Sequence, residues 1–392
     1  MTATHDSHPT VSAAPVLYLA LELGWNSWKL AFTTGLGQSP RLRTIPARDL
    51  IALAGEVAKA RARFGLPAAA TVTTCYEAGR DGFWLQRYLA SCGIACTVVD
   101  SASIEVNRRK RRAKSDRLDA AKLVTMLIRW HLGDTRVWST VRIPSPEAED
   151  ARQAHRELIE LKAERTAHSN RIKGLLAGLG LSIVVDAKLP ERLERLRQLD
   201  GATVPPRTSE RILREFARWQ LVDRQVRDLD NRRVRAVRKP GEAAVEKVRR
   251  LMRLRGIGSN GAWILVHEFF GWREFKNRRE VGALAGLTPT PYSSGDSERE
   301  QGISKAGNRR VRWLMIELAW CWQRYQPGSA LSRWYQERFG GGNSRQRRIG
   351  IVALARKLLI ALWRYVEFGE VPEGAVEVEL EVKLDPRLRA AS

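Results

Sequence analysis

Residues 16–32, VLYLALELGWNSWKLAF, begin as a nearly continuous apolar run, and a polar step at 24–27 divides it from a second apolar stretch. An unbroken run of this length fits a strand buried on both faces, so the segment predicts two strands joined by a turn. A helical pattern follows at about 47–65 and closes at Gly65. AATVTTCYE then has strand character, RDGFWLQRYLASCG helical spacing up to Gly93, and IACTVVD strand character again. Strands alternating with helices predict an α/β layer with some parallel pairing. The next helix is predicted in SDRLDAAKLVTMLIRWHLG, where Leu118, Leu123, Met126 and Trp130 keep helical phase.

The pattern changes after residue 140. VRIPSPEAEDARQAHRELIELKAERTAHSNRIKGLLAGLG offers Ser145 as an N-cap and Pro146 at the first helical position. It predicts a helix of some thirty residues with Leu158, Leu161, Ile172 and Leu175 as its apolar stripe. A second long helix is predicted at 207–238, with Ile212, Phe216, Trp219, Val222 and Val226 on one side. Two long charged helices with narrow stripes suggest an antiparallel arm or a coiled-coil interface. Lys239-Pro240-Gly241 breaks the second helix, and a basic, mostly helical segment begins near 242. The expected fold class is therefore α/β plus α. Its divisions are a polar, disordered N-terminus over 1–15, an α/β domain over 16–140, a helical segment over 141–240, a helical domain over 241–370 and an acidic tail over 371–392. In that tail, residues 376–382 alternate in the manner of a short strand.

Charge changes the picture. The 392-residue chain carries 67 Lys+Arg against 43 Asp+Glu, a formal net charge of +24. Nearly all of the excess lies beyond residue 100, which directs attention to nucleic acid or an anionic membrane surface as partner. No apolar run approaches the ~20 residues of a spanning helix, so nucleic acid is favoured over membrane. The first fifteen residues lack the charged start and apolar stretch of a secretory signal. Cys75, Cys92, Cys96 and Cys321 lack paired zinc spacing and are expected as buried free thiols, in keeping with a reducing cytoplasm.

Chemistry concentrates in a few places. Glu22 sits inside an apolar strand, where a charge is costly unless paired or bound to a cation. Glu77 ends another strand, and functional groups of open α/β sheets gather at carboxyl ends of strands. RRKRRAKSDRLDAAKL, at 108–123, puts Asp116 and Asp119 directly behind Arg108, Arg109, Lys110, Arg111, Arg112 and Lys114. On a helix, residues three apart share a face. The two aspartates fit either a helix cap with a first-turn charge or a metal site beside a nucleic-acid track. Four carboxylates would suit two Mg²⁺ ions in phosphodiester chemistry, with Mn²⁺ as a substitute.

In the last domain, Gly256-Ile257-Gly258 between two helical pieces resembles a helix-hairpin-helix turn, whose glycines let backbone N–H groups approach a phosphate. An ordinary helix–helix turn fits as well. GLTPTPYSSGDSEREQGISKAGNRRVR places a Ser-Ser-Gly loop before Lys305, Arg309, Arg310 and Arg312. A serine there could attack a phosphodiester while the cations neutralise charge, or the loop could simply precede a DNA-contacting helix. His155, His168 and His267 lack acidic or cysteine partners at ligand spacing, and Trp313, Trp320 and Trp322 are expected to pack in the core.

Three stretches together, ALELGWNSWKLAF, CYEAGRDGFW with RRAKSDRLDAAKL, and the GLTP…SSG…GISKAGNRRVR segment, resemble the DEDD transposases of bacterial insertion sequences, the IS-one-hundred-ten family. The resemblance runs from about 16 to 365. It implies a RuvC-like (ribonuclease-H-like) N-terminal domain, a coiled-coil segment used in dimer contacts and a C-terminal transposase domain. It further implies Mg²⁺ held at Glu22, Glu77, Asp116 and Asp119, and Ser294 as covalent nucleophile, with Ser293 its neighbouring alternative. Expected partners are DNA at element ends and target, a guide RNA from the element, and other copies of the chain as a dimer or tetramer. The setting it implies is a bacterial cytoplasm, at the nucleoid during action. One departure stands out: the first acid is Glu22 where the family has aspartate, and its extra methylene shifts the carboxylate by about one bond length at an ion that tolerates little misplacement. A metal-dependent junction resolvase using the N-terminal acids alone, and a decayed non-catalytic DNA-binding protein, are the competing readings.

Overall fold

The computed structural model describes residues 15–104, 116–239, 241–294 and 297–380, with backbone alone at 102, 116–118, 291–294 and 297–301. Residues 1–14 of the disordered N-terminus expected over 1–15, the basic run 108–114 and the last part of the acidic tail lie outside the described residues. The chain divides into two compact units, 1–143 and 144–392.

The first unit is built on five strands: β1 (Val16–Leu23), β2 (Ser27–Thr33), β3 (Arg41–Pro46), β4 (Thr71–Glu77) and β5 (Ala95–Val99). Their order is β3-β2-β1-β4-β5; the first three run antiparallel, and β1, β4 and β5 run parallel. Helices α1 (Leu50–Arg63) and α2 (Trp84–Ser91) cover one face, and α3 (Asp116–His131) covers the other. Period two explains the division: Leu17, Leu19 and Leu21 enter the α1/α2 core, while Tyr18 and Ala20 enter the α3 core. The apolar run of β1 is thus buried on both sides, as its sequence predicts. Sequence periodicity misses β3, RLRTIP, because it is an edge strand with four of its six residues polar or proline and only Ile45 fully buried.

In the second unit, Ser145 caps α4 (Pro146–Asp150) by accepting from Ala148 N at 3.1 Å. The expected continuous helix is interrupted at residues 151–152 and resumes as α5 (Gln153–Ala177). The short α6 (Leu189–Arg195) leads to α7 (Pro206–Arg238). Early residues of α5 meet late residues of α7, Lys162 with Asp230 at 3.0 Å and Arg165 with Asp223 at 2.9 Å. Later ones meet earlier ones, His168 with Glu215 at 2.6 Å, so the pair is antiparallel.

The remaining helices form one apolar core. They are α8 (Ala243–Arg253), α9 (Ser259–Leu265) with a π-helical turn at Val266–Phe270, α10 (Arg278–Leu284), α11 (Arg309–Tyr325), α12 (Ala330–Tyr335) and α13 (Ser344–Phe368). Between α10 and α11 a hairpin, β6 (Pro289–Ser294) and β7 (Ser297–Ile303), replaces the expected polar loop. The predicted strand at 376–382 is reduced, among the described residues, to an isolated bridge between Leu254 and Glu377. Cysteines are free, but Cys92 is exposed at the end of α2 rather than buried. No described helix is long and apolar enough to cross a membrane.

Candidate functional site

Strand register sets Glu22 and Glu77 side by side, and helix direction brings the start of α3 to the same end of the sheet. Leu21 pairs with Tyr76 in the parallel β1–β4 ladder, so Glu22 and Glu77 are neighbours one step further along. Both share parity with the residues beneath α3: Tyr18 and Ala20 lead to Glu22, and Cys75 leads to Glu77. The direction of α3 follows from two contacts. Tyr18 Oη lies 2.7 Å from His131 Nδ1, and Cys75 Sγ lies 3.9 Å from the Leu123 carbonyl oxygen. The helix therefore runs against β1 and β4, bringing its N-terminus to their carboxyl ends. From Cys75 to Glu77 the strand advances ~7 Å; from Leu123 back to Asp119 the helix retreats ~6 Å. Asp119, half-buried in the first turn, is thus level with Glu77. The backbone of Asp116 opens the same helix, its side chain lying outside those described.

Glu22 and Glu77 line a cleft of about 310 Å³ together with Leu23, Arg80, Asp81 and Ser101. Across the β1–β2 ladder from Glu22 stands Lys29, whose ammonium donates to Thr44 Oγ1 at 3.0 Å. Hard oxygen donors of this type suit Mg²⁺. Among the described residues no group of three or more such side chains is close enough to hold a metal ion. Among the candidate acids, Glu22 and Glu77 are the two shown to share the cleft, and Asp119 lies in the first turn of α3. Sequence reasoning missed Arg80 and Asp81, which lie three and four residues beyond the strand end at Glu77.

In the second unit, Ser294 ends β6 opposite Ser297 of β7, and Ser293 lies opposite Glu298. Their side chains lie outside those described. The hairpin is held at its base by a close crossing of backbone. Lys305 N donates to the Gly286 oxygen at 3.2 Å, and Asn308 N to the Leu284 oxygen at 2.7 Å. Gly286 (φ 69°) and Gly307 (φ 90°) adopt left-handed backbone. A Cβ at Gly286 would stand 2.0 Å from the Ala306 oxygen, and one at Gly307 2.1 Å from the Leu284 oxygen. Much of the GLTP…GISKAGN pattern is thus explained by two chain segments touching.

Asn308 caps α11 by accepting from Arg310 N and Val311 N at 3.0 and 3.1 Å. Arg309 and Arg310 are exposed at this helix start, as is Lys305 before it, whereas Arg312 is partly committed, donating to the Ala285 oxygen at 3.3 Å. Trp322 is buried, but Trp313 and Trp320 are 55% and 45% exposed and correct the expectation of core packing. Helical phase gives the reason: Val311, Met315, Leu318 and Trp322 face inward, and residues 313 and 320, seven apart, share the outer face with Arg310 and Arg324. The Gly256-Ile257-Gly258 turn joins α8 and α9. Gly256 is packed for structure, at φ 93° with a Cβ position 3.0 Å from Tyr325 Cβ. Gly258 is open space at the start of α9.

Glu268, in the π-helical turn, is a polar centre that sequence reasoning missed. Its side chain is 1% exposed and accepts from Arg156 Nε at 2.8 Å, Arg156 Nη2 at 3.0 Å and Asn308 Nδ2 at 3.1 Å, with His155 Nε2 at 2.9 Å. Burial alone would raise its pKa; the hydrogen bonds from His155, Arg156 and Asn308 outweigh burial and hold the carboxyl well below the usual range. His155, which has no acidic partner at ligand spacing in the sequence, thus finds one 113 positions away. Burial lowers the pKa of His155, against the opposing pull of the Glu268 carboxylate. Burial, aided by His155 and Arg233, also pushes His267 down to about 4.

His267 is neutral when folded and takes up a proton on unfolding in mild acid. Its contribution is full above pH ~6.5 and is lost as pH falls toward about 4, worth roughly 3 kcal/mol. The melting temperature should therefore fall across this window, and His267→Gln should flatten the slope. An unchanged slope in that variant would count against the assignment.

A model of the "Transposase IS116/IS110/IS902 family" matches residues 248–335, the span that includes the Gly286–Gly307 crossing. A putative transposase of Sinorhizobium fredii is 40% identical over 375 residues, covering 92% of this chain and 94% of the relative. The transposase for insertion sequence element IS1328 of Yersinia enterocolitica is 26% identical over 232 residues, 58% of this chain and 66% of the relative. The transposase for insertion sequence element IS1111A of Coxiella burnetii is 30% identical over 160 residues, 41% and 43% of the two chains. With similarity that extends over nearly the whole length of one relative and a family model seated on the hairpin-bearing segment, this chain belongs to the IS116/IS110/IS902 family of transposases.

Proposed function

We propose that the protein is the transposase of an insertion sequence of this family, cutting and rejoining DNA strands with a carboxylate site in the first unit and a serine nucleophile in the second. The observation that carries the reading is that Glu22 and Glu77 end adjacent strands and line one cleft, with the N-terminus of α3 directed to the same end of the sheet. The sheet order 3-2-1-4-5, with acids at adjacent strand ends, supports a ribonuclease-H-like unit of RuvC type. Mg²⁺, or Mn²⁺ in its place, would be held by Glu22, Glu77, Asp116 and Asp119 and would supply positive charge to the phosphodiester oxygens. Ser294 Oγ attacks phosphorus, one bridging oxygen departs and takes up a proton, and a strand-end hydroxyl later displaces the serine from the phosphoserine. Lys305, Arg309 and Arg310, exposed at the hairpin base and helix start, offset phosphate charge there. The basic run from Arg108 to Lys114 tracks the DNA backbone. The antiparallel α5/α7 arm serves assembly into a dimer or tetramer, and an RNA from the element guides target choice.

Recombination between a donor carrying the element's ends and a target, with the guide RNA supplied, tests the proposal. Ser294→Ala is expected to abolish joined product while folding and DNA binding persist. Loss in Ser293→Ala with survival in Ser294→Ala moves the nucleophile by one residue. Survival in both leaves a metal-dependent nuclease without serine chemistry.

A further inference from the structure

A single large apolar side chain stands at the edge of the acidic cleft with no core to fill. Trp25 lies in the connection between β1 and β2, three residues after Glu22, and is 62% exposed. Its neighbours Gly24 and Asn26 are ordinary turn residues, and a Cβ at Gly24 would stand 2.4 Å from the Ser27 oxygen, so the turn is tightly drawn. The tryptophan contributes nothing to that turn. Two guanidiniums are gathered against its ring, with the Cζ of Arg48 5.0 Å and that of Arg80 4.6 Å from the ring centroid. Both are tethered by Asp81, whose side chain is 7% exposed, at 3.4 and 3.2 Å. Arg48 also reaches the Trp25 oxygen at 3.5 Å from a backbone at φ 66°, a conformation uncommon outside glycine. Arg80 and Asp81 themselves line the cleft that holds Glu22 and Glu77.

We infer that Trp25, Arg48 and Arg80 form a platform for an unpaired nucleotide, the base stacking on the indole and the adjoining phosphate taking guanidinium hydrogen bonds. An acidic cleft repels a phosphodiester, so cations at its edge are needed to bring a strand close. The guanidinium donors not committed to Asp81 are suited to phosphate oxygens. An exposed indole supplies a sequence-tolerant π surface for a base. Bases inside a duplex are already stacked on one another, so the platform selects a single-stranded or extruded nucleotide next to the acids. The inference rests on the proposed strand-cutting role and goes beyond it by naming the side chains that deliver the strand.

The test uses the full-length protein and a single-stranded oligonucleotide carrying 2-aminopurine, whose fluorescence is quenched by stacking, beside the same sequence as a duplex. Wild-type protein is expected to quench the single strand. Trp25→Ala should abolish quenching and weaken single-strand binding roughly tenfold to hundredfold, leaving duplex binding within about twofold, and Trp25→Phe should restore part of both. Unchanged quenching in Trp25→Ala, or equal losses for single strand and duplex, overturns the platform while strand rejoining by the wild type keeps the functional reading. Absence of any oligonucleotide binding by wild-type protein overturns both.

Discussion

Replacing Asp119 or Glu77 with Ala is expected to reduce DNA strand cleavage by about a thousandfold or more, with the melting temperature shifted by only a few degrees. The small stability effect follows from position. Glu77 ends β4 at the cleft, and Asp119 is half-buried in the first turn of α3. A carboxylate there stabilises the helix by only about 0.3–1 kcal/mol through the backbone dipole. The large activity effect follows from chemistry, because each acid would hold the divalent cation that offsets charge on the phosphodiester. Glu22→Asp is the informative companion. If the site is shaped around the longer glutamate, the shorter side chain lowers cleavage; if this copy is weakened by its glutamate, aspartate raises it. Gel resolution of nicked and intact strands measures all three variants.

Glu268→Ala should cost about 3–5 kcal/mol of stability in the second unit, the range found when one member of a buried charge pair is removed. Arg156 and Asn308 lose their acceptor, and His155, 1% exposed at its side chain, loses the partner of Nε2. A fall in melting temperature on the order of 10 °C is expected for a unit of this size. Glu268→Gln, which keeps shape and one acceptor oxygen, should cost less. Glu268 bonds to α5 through His155 and Arg156 and to the cap of α11 through Asn308, so its loss should also reduce DNA affinity through Arg309 and Arg310. Thermal scans together with salt-dependent DNA binding measure both effects, and an unchanged melting temperature would contradict the role assigned to this carboxylate.

Legibility in the sequence followed burial. The β1 run was readable because both of its faces are apolar, and the α7 stripe from Ile212 to Val226 because one face packs at constant phase. The edge strand β3 and the hairpin β6–β7 were not, since their polar residues carry no two-residue alternation against a core. Glu22 and Glu77 were readable as charges at apolar strand ends, but their adjacency needed the β1–β4 register. Asp81, Arg80 and Trp25 come together only through the β1–β2 turn and the end of β4. Glu268 pairs across more than a hundred positions, which no local pattern encodes. For Trp313 and Trp320 the signal was present: counting helical phase from Val311 and Trp322 puts both on the outer face.

On the proposed function, the acids at the ends of β1 and β4 and at the start of α3 bind the divalent ion that strand cutting requires. Calorimetric titration of Mg²⁺, and then Mn²⁺, into the folded full-length protein tests it most directly. Saturable binding is expected in the wild type and is expected to be lost in Glu77→Ala and in Asp119→Ala. Binding of equal strength and stoichiometry in all three proteins, or none above background in the wild type, would contradict it.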